Sequence, residues 1–178
     1  MRSLRFGRVW FSGANDAMDA VDRQIVELLQ ENGRIPNAEI ARRVGMAPSA
    51  VLERVRKLED RGVVEGYTAR VNARALGFGL TAFLFVRAEE PRGALETADR
   101  LATLPGVQEV HHVAGEDCLL VKLRVADTDA LGRLLRDEVG AIPTVRSTRT
   151  TIVLGTVKES TVLPVGSPGD ASRRDAGV

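Results

Sequence analysis

Cysteine is almost missing from this chain: Cys118 stands alone among 178 residues. One cysteine closes no internal disulfide and builds no cysteine-only zinc site. It fits a reducing compartment. Histidine is nearly as scarce, with only His111 and His112. Neighbours on a strand point to opposite faces, so these two are not expected to share a metal ion. Aromatic residues make up 4%, too few for a base-stacking platform on single strands. No apolar run approaches the roughly 20 residues of a membrane helix. Arginines and glycines break up the apolar residues of the first fifteen positions, unlike the h-region of a secretory leader. The expectation is a soluble, cytoplasmic protein with no membrane partner. Walker A, G-x-G-x-x-G and H-E-x-x-H spacings are missing, and Cys118 has no histidine–acid set beside it. No catalytic residue, metal or cofactor is therefore expected.

Net charge is also scarce, at +1 from 25 Lys+Arg against 24 Asp+Glu. This excludes attraction to polyanions by bulk charge, but not a local basic patch. The charge is unevenly spread. Residues 1–75 hold 13 basic against 10 acidic groups, and residues 76–178 hold 12 against 14. Six of the basic groups fall between Arg42 and Arg61.

That stretch has helical periodicity. Met18, Val21, Ile25, Leu28 and Leu29 follow the three–four stagger of an amphipathic helix. Asp16 and Asp19 suit its start and Asn32-Gly33 its stop. Asn37 is placed to cap a short second helix, Ala38 to Val44, which Gly45 breaks. Pro48 opens a third, with Val51, Val55 and Leu58 inward and Gly62 at its end. Two short helices around a glycine turn, the second basic on its outer side, match a helix-turn-helix. Ser49, Ala50, Glu53, Arg54 and Lys57 lie off the inward stripe and are the candidates for major-groove and phosphate contact. Arg42 and Arg43 are placed to touch the DNA backbone.

The remainder alternates strands and helices. Val63 to Val71 reads as a strand, and a glycine-containing linker leads to Leu80 to Ala88, the strongest strand. A helix from Gly93 to Leu104 follows, with Leu95, Ala98, Leu101 and Ala102 inward. Val107 to Val113 and Leu119 to Val125 are strands about the turn Ala114-Gly115-Glu116-Asp117. Asp127 caps a helix to Val139, and Thr144 to Lys158 is the last strand. The order β-α-β-β-α-β predicts a ferredoxin-like sandwich, α+β overall. Its uncovered sheet face calls for a partner, most economically a second copy. Boundaries are expected at 1–17 (extension), 18–70 (helix-turn-helix), 71–79 (linker), 80–159 (sandwich) and 160–178 (disordered tail).

From Met18 to about Glu159 the chain resembles the Lrp/AsnC, or feast/famine, family of transcription regulators. The carriers are M-D-A-V-D-R-Q-I-V-E-L-L-Q-E-N-G-R-I at 18–35, A-E-I-A-R-R-V-G-M-A-P-S-A-V-L-E-R-V-R-K-L-E-D-R-G-V-V-E-G-Y at 38–67, and H-H-V-A-G-E-D-C-L-L-V-K-L-R-V at 111–125. The resemblance implies an N-terminal winged helix-turn-helix that binds double-stranded DNA and a C-terminal ligand-sensing sandwich. It also implies homodimers that assemble into tetramers or octamers. Its effector, usually an amino acid, is expected near the turn Ala114, Gly115, Glu116, Asp117 and Cys118, with Thr148 and Thr150 of the last strand contributing. The family often reads G-D-aromatic-D-aromatic where this chain reads G-E-D-C-L, so a carboxylate has moved one place, to Asp117. Ala47 stands where a capping serine is common. Residues 1–17 precede the resemblance, as an over-early start, an extension or a basic arm. The rival readings are an architectural DNA-coating protein without an effector, a sensor that has lost DNA binding, and a small enzyme on the sandwich.

Overall fold

The computed structural model describes residues 18–91 and 94–165. The expected extension 1–17, Arg92-Gly93 and residues 166–178 lie outside the described residues. The chain divides into two units, one holding the residues up to Ala69 together with those from Ser160 on, the other Arg70–Glu159.

In the first unit the apolar stagger produces three helices, α1 (Ala20–Glu31), α2 (Asn37–Val44) and α3 (Pro48–Asp60). Asp19 caps α1, its carboxylate accepting the Asp22 N–H at 2.7 Å. Asn37 does not cap α2, because extended Pro36 holds the cap position and Asn37 is already helical. Gly45, at φ +71, makes the left-handed turn between α2 and α3 that a side chain would strain. Ile25, Ile40, Val51 and Leu58 are fully buried, with Ala41 and Val55 beside them. Each such branched side chain contributes roughly 1.5–3 kcal/mol through removal from water. Val63–Val71, expected as a strand, forms none, since a lone strand has no neighbour to take its N–H and C=O groups. The start of this segment is tied to α3 by the Val63 and Val64 N–H groups, both donating to Leu58 O, at 2.9 and 3.1 Å, and side chains hold more of it. Tyr67 donates its hydroxyl to Glu59 at 2.9 Å, and its ring packs on Gly33. Residues 160–165 group with this unit. The Gln30 side-chain amide and the Leu163 backbone exchange two hydrogen bonds, of 2.9 and 2.7 Å.

The second unit is a four-stranded antiparallel sheet ordered β2-β3-β1-β4, the ferredoxin-like order. Its strands are β1 (Leu80–Ala88), β2 (Val107–His112), β3 (Leu119–Val125) and β4 (Val145–Ile152). Alternation in β1 and β3 sends Ala82, Leu84, Val86, Leu119, Val121, Leu123 and Val125 into the core beneath the helices. Thr81, Phe83, Phe85, Leu120, Lys122 and Arg124 are thereby left on the open face. Helix α4 (Glu96–Ala102) is shorter than expected, and Leu95 and Ala102 are exposed rather than inward. Its start is fixed by Glu90, which accepts the Thr97 N–H at 2.6 Å and the Thr97 hydroxyl, while that buried hydroxyl also meets Thr144 at 2.6 Å. Asp127 caps α5 (Thr128–Arg133), which widens into π turns over Leu134–Val139 and keeps Leu134 and Val139 buried. Strand β4 ends at Ile152, short of the expected Lys158. Among the described residues no helix is long and apolar enough to cross a membrane.

Candidate nucleic-acid interface and effector turn

At 100° per residue, Ser49, Leu52, Glu53 and Arg56 share one outward stripe of α3, spaced i, i+3, i+4, i+7, and all four are exposed. Lys57 flanks the stripe and pairs with Glu53 at 2.9 Å. This draws the Glu53 carboxyl below its ordinary range. Ala50 is half-buried on the flank. Arg56 and Leu52 were not among the sequence candidates, although their spacing from Ser49 marks them. Ala47 provides no side-chain cap to α3.

Arg54 is placed differently. Its Nη1 meets Asp19 Oδ2 and Asp22 Oδ1, both at 2.7 Å. These are bonds from α3 to the start of α1 that leave the guanidinium facing inside the unit. Its pKa rises above the ordinary arginine value chiefly through the Asp22 hydrogen bond, and the Asp19 carboxyl falls through its bond to the Asp22 N–H and then through Arg54. Arg42 and Arg43 are exposed on α2, and Glu39 binds both: Arg42 Nε at 2.9 Å and Nη2 at 2.8 Å, Arg43 Nε at 2.8 Å. The two guanidiniums hold the Glu39 carboxyl down at about 2.

In the second unit the turn between β2 and β3 is closed by Val113 N–H to Cys118 O at 3.1 Å and anchored by Cys118 N–H to Val86 O at 2.9 Å. Among the described residues, the backbone N–H groups of Ala114, Gly115, Glu116 and Asp117 donate to no other backbone group. Glu116 is exposed, and Cys118 packs beside the core with Sγ 3.4 Å from Ala88 O. Asp117 is bound by Arg149, Nη2 to Oδ2 at 3.0 Å, and the Arg149 guanidinium lies 4.0 Å from the Phe85 ring centroid. Register sets the rest. Thr148 pairs with Val86 and Thr150 with Leu84, so both threonines face the helix side, whereas Arg149 pairs with Phe85 on the open side. The structure thus gathers Asp117 with Arg149, and it puts Thr148 and Thr150 on the other face of the same strand. His111 pairs with Leu120 and His112 with Leu119, on opposite faces.

One unit is a helix-turn-helix with a charged third helix and the other a ferredoxin-like sandwich, the two-domain composition of a DNA-binding regulator with a sensing domain. Comparison with known proteins gives the family. A family model for the AsnC-type helix-turn-helix domain matches residues 18–59, and one for the Lrp/AsnC ligand binding domain matches residues 81–163. The chain is 38% identical over 148 residues to the HTH-type transcriptional regulator FL11 of Pyrococcus horikoshii, covering 83% of this chain and 97% of that one. It is 40% identical over 152 residues to the leucine-responsive regulatory protein of Escherichia coli K12, covering 83% and 92%. A Neisseria meningitidis transcriptional regulator solved as a complex with L-methionine superposes with TM-score 0.79 at 31% identity, covering 84% and 97%. A feast or famine regulatory protein of Mycobacterium tuberculosis complexed with L-methionine gives 0.76 at 39%, covering 83% and 99%. The chain belongs to the Lrp/AsnC family: it is a transcriptional regulator with a ligand-binding domain, and not an enzyme.

Proposed function

We propose that this regulator places α3 in the major groove of double-stranded DNA and that an amino acid bound at the 114–118 turn modulates its assembly. The outward stripe of α3 carries the DNA reading. Ser49, Glu53 and Arg56 offer hydroxyl, carboxylate and guanidinium to base edges, and Leu52 an apolar contact for a thymine methyl group. Ala50 lies beside them, and Lys57, Arg42 and Arg43 neutralise phosphates. Arg54 serves this surface by positioning α3 on α1. Free N–H groups at the turn suit a ligand carboxylate and Asp117 or Glu116 an ammonium, with Cys118 at its margin, whereas Thr148 and Thr150 lie on the other face of β4. Two relatives solved with L-methionine support this chemistry.

The open sheet face supports a dimer. Phe83, Phe85 and Leu120 are only half-buried there, and a second copy would cover them. Two third helices would then meet half-sites one helical turn, or a multiple, apart. Larger assemblies would bring effector turns of different dimers together.

The test is a gel shift on the gene's own upstream region at fixed salt, repeated with each of the twenty amino acids, with light scattering for assembly size. A shift that one amino acid strengthens or weakens is expected. Binding that no amino acid alters, with no heat in calorimetry, favours the architectural reading. No shift at all leaves a sensor without DNA binding.

The Glu39 clamp gives a separate prediction. Glu39→Gln releases Arg42 and Arg43 to phosphate. DNA affinity should rise several-fold at low salt, and the log–log salt slope should steepen by about one per phosphate gained. An unchanged slope would show that neither arginine reaches the backbone. Arg56→Ala should weaken operator binding by about 1–3 kcal/mol if Arg56 reads a base, and Lys57→Ala should lower the slope with little change in sequence preference.

A further inference from the structure

We infer that Arg149 competes with the ammonium group of an amino-acid effector for the Asp117 carboxylate at the 114–118 turn. This rests on the effector reading of that turn proposed above.

The register brings Arg149 to Asp117. The Cys118 N–H is tied to Val86 O, and Arg149 stands opposite Phe85, the neighbouring residue on β1. Asp117 and Arg149 therefore meet at the same end of the same strand. Arg149 is held there from two sides, by the Asp117 carboxylate at 3.0 Å and by the Phe85 ring at 4.0 Å. A guanidinium over an aromatic face gains from the ring quadrupole as well as from its anion.

An α-amino acid carries two opposite charges on one carbon. The free N–H groups of the turn can take the carboxylate, and Gly115, at φ +149 with nothing within 4 Å of where a Cβ would stand, keeps that approach open. The ammonium then needs an anion. Asp117 is the more enclosed of the two acids here, its side chain 26% exposed, so an ion pair to it is less screened than one to exposed Glu116. In the free protein, however, Asp117 already holds the Arg149 guanidinium at 3.0 Å. A ligand ammonium that reaches Asp117 must contend with the Arg149 guanidinium for Oδ2, so effector affinity is reduced by the ion pair already there. A ligand with a carboxylate and no ammonium leaves the Arg149–Asp117 pair intact.

Calorimetry with L-methionine on the full chain tests this, alongside its amine-free analogue 4-methylthio-2-oxobutanoate. Arg149 is outside the core, so Arg149→Gln is expected to fold. It lies on the sheet face proposed to meet a second copy, and light scattering checks that the variant's assembly is unchanged. It should bind L-methionine about two- to fivefold more tightly than the unchanged chain, the ratio an exposed ion pair is worth. Its affinity for the oxo acid should not move. Arg149→Lys should fall between, keeping the charge without the planar fork. Asp117→Asn should lose the preference for L-methionine over the oxo acid, and Glu116→Gln should keep it. If the unchanged chain gives no heat with L-methionine and Arg149→Gln does, the inference stands. Equal or weaker L-methionine binding by Arg149→Gln overturns it, as does equal tightening toward the oxo acid or loss of binding in Glu116→Gln alone. Those results leave the effector turn intact when some amino acid still binds it. Silence from all twenty amino acids in both proteins overturns the effector reading itself.

Discussion

Replacing Gly106 with alanine should unfold the sensing domain near physiological temperature, the largest single-residue effect expected in this chain. Gly106 has φ +82, and a Cβ there would lie 2.2 Å from Arg124 O. The two residues are also tied by Arg124 N–H to Gly106 O at 2.8 Å. An alanine faces two penalties at once. The left-handed backbone costs roughly 1–2 kcal/mol for a residue with a Cβ. The clash is with backbone, so no rotamer relieves it. Relief requires moving the start of β2 off β3, which gives up that hydrogen bond and the pairing of Val107 with Leu123. A total of about 3–5 kcal/mol is expected, a large share of the stability of an ordinary domain. Chemical denaturation followed by far-ultraviolet circular dichroism measures it. Gly132→Ala is the control. It lies in α5 with nothing within 4 Å of its Cβ position and should stabilise by about 0.5–1 kcal/mol. If both variants melt like the unchanged protein, close approach at Gly106 is not what the fold requires.

Gly106 also shows what a sequence reveals and what it hides. Pro105-Gly106 is a chain break on local chemistry alone, and α4 ends shortly before it, at Ala102. That the same glycine must admit a carbonyl of β3, eighteen residues later in the chain, is a tertiary fact without a local signal. The same division runs through the molecule. Strand β1 was legible because its aromatic and β-branched content is a local signal. The strand expected at Val63–Val71 was not formed, because alternation does not supply the neighbour a strand needs. The helix after Pro91 was drawn too long, since Leu95 fits helical spacing yet stays exposed, and the true start is set by Glu90 reaching Thr97.

The sites divide likewise. The α3 stripe was half legible: its inward residues were read directly, and its outward ones only in part, because Arg56 was counted among the basic cluster but not placed on the stripe. Thr148 and Thr150 were grouped with Asp117 by resemblance, whereas the register of β4 on β1 puts them on the other face. Arg149, between them, went unremarked because its partner lies thirty-two positions away, and no spacing rule reaches that far.

Arg54 carries the second large prediction. On sequence it was a candidate for base contact, and in the structure it bridges Asp19 and Asp22. Arg54→Glu would place a third carboxylate where two already converge. The unchanged protein and this variant should then respond to acid with opposite sign. In the unchanged protein the Asp19 pKa is lowered from its ordinary 3.8. Its pairing therefore stabilises the fold above that value and is lost as pH falls through the lowered one. In the variant, three clustered carboxylates raise one another's pKa values, so the fold is weakest at neutral pH and recovers as pH falls toward 4. At pH 7 the helical unit should lose about 1–3 kcal/mol, an estimate reduced for solvent because the Arg54 side chain remains 30% exposed. Asp22→Arg in the same chain should restore part of that loss by pairing with the new glutamate. Thermal melts from pH 8 to well below 3.8, where the Asp19 pairing is lost, separate positioning from base reading. A pure base-reading role predicts wild-type melting at every pH with loss confined to operator binding. A positioning role predicts that stability falls first, in the absence of DNA, and that operator affinity returns with the compensating arginine. Recovery of the fold without recovery of DNA binding would put Arg54 back among the residues that touch the operator.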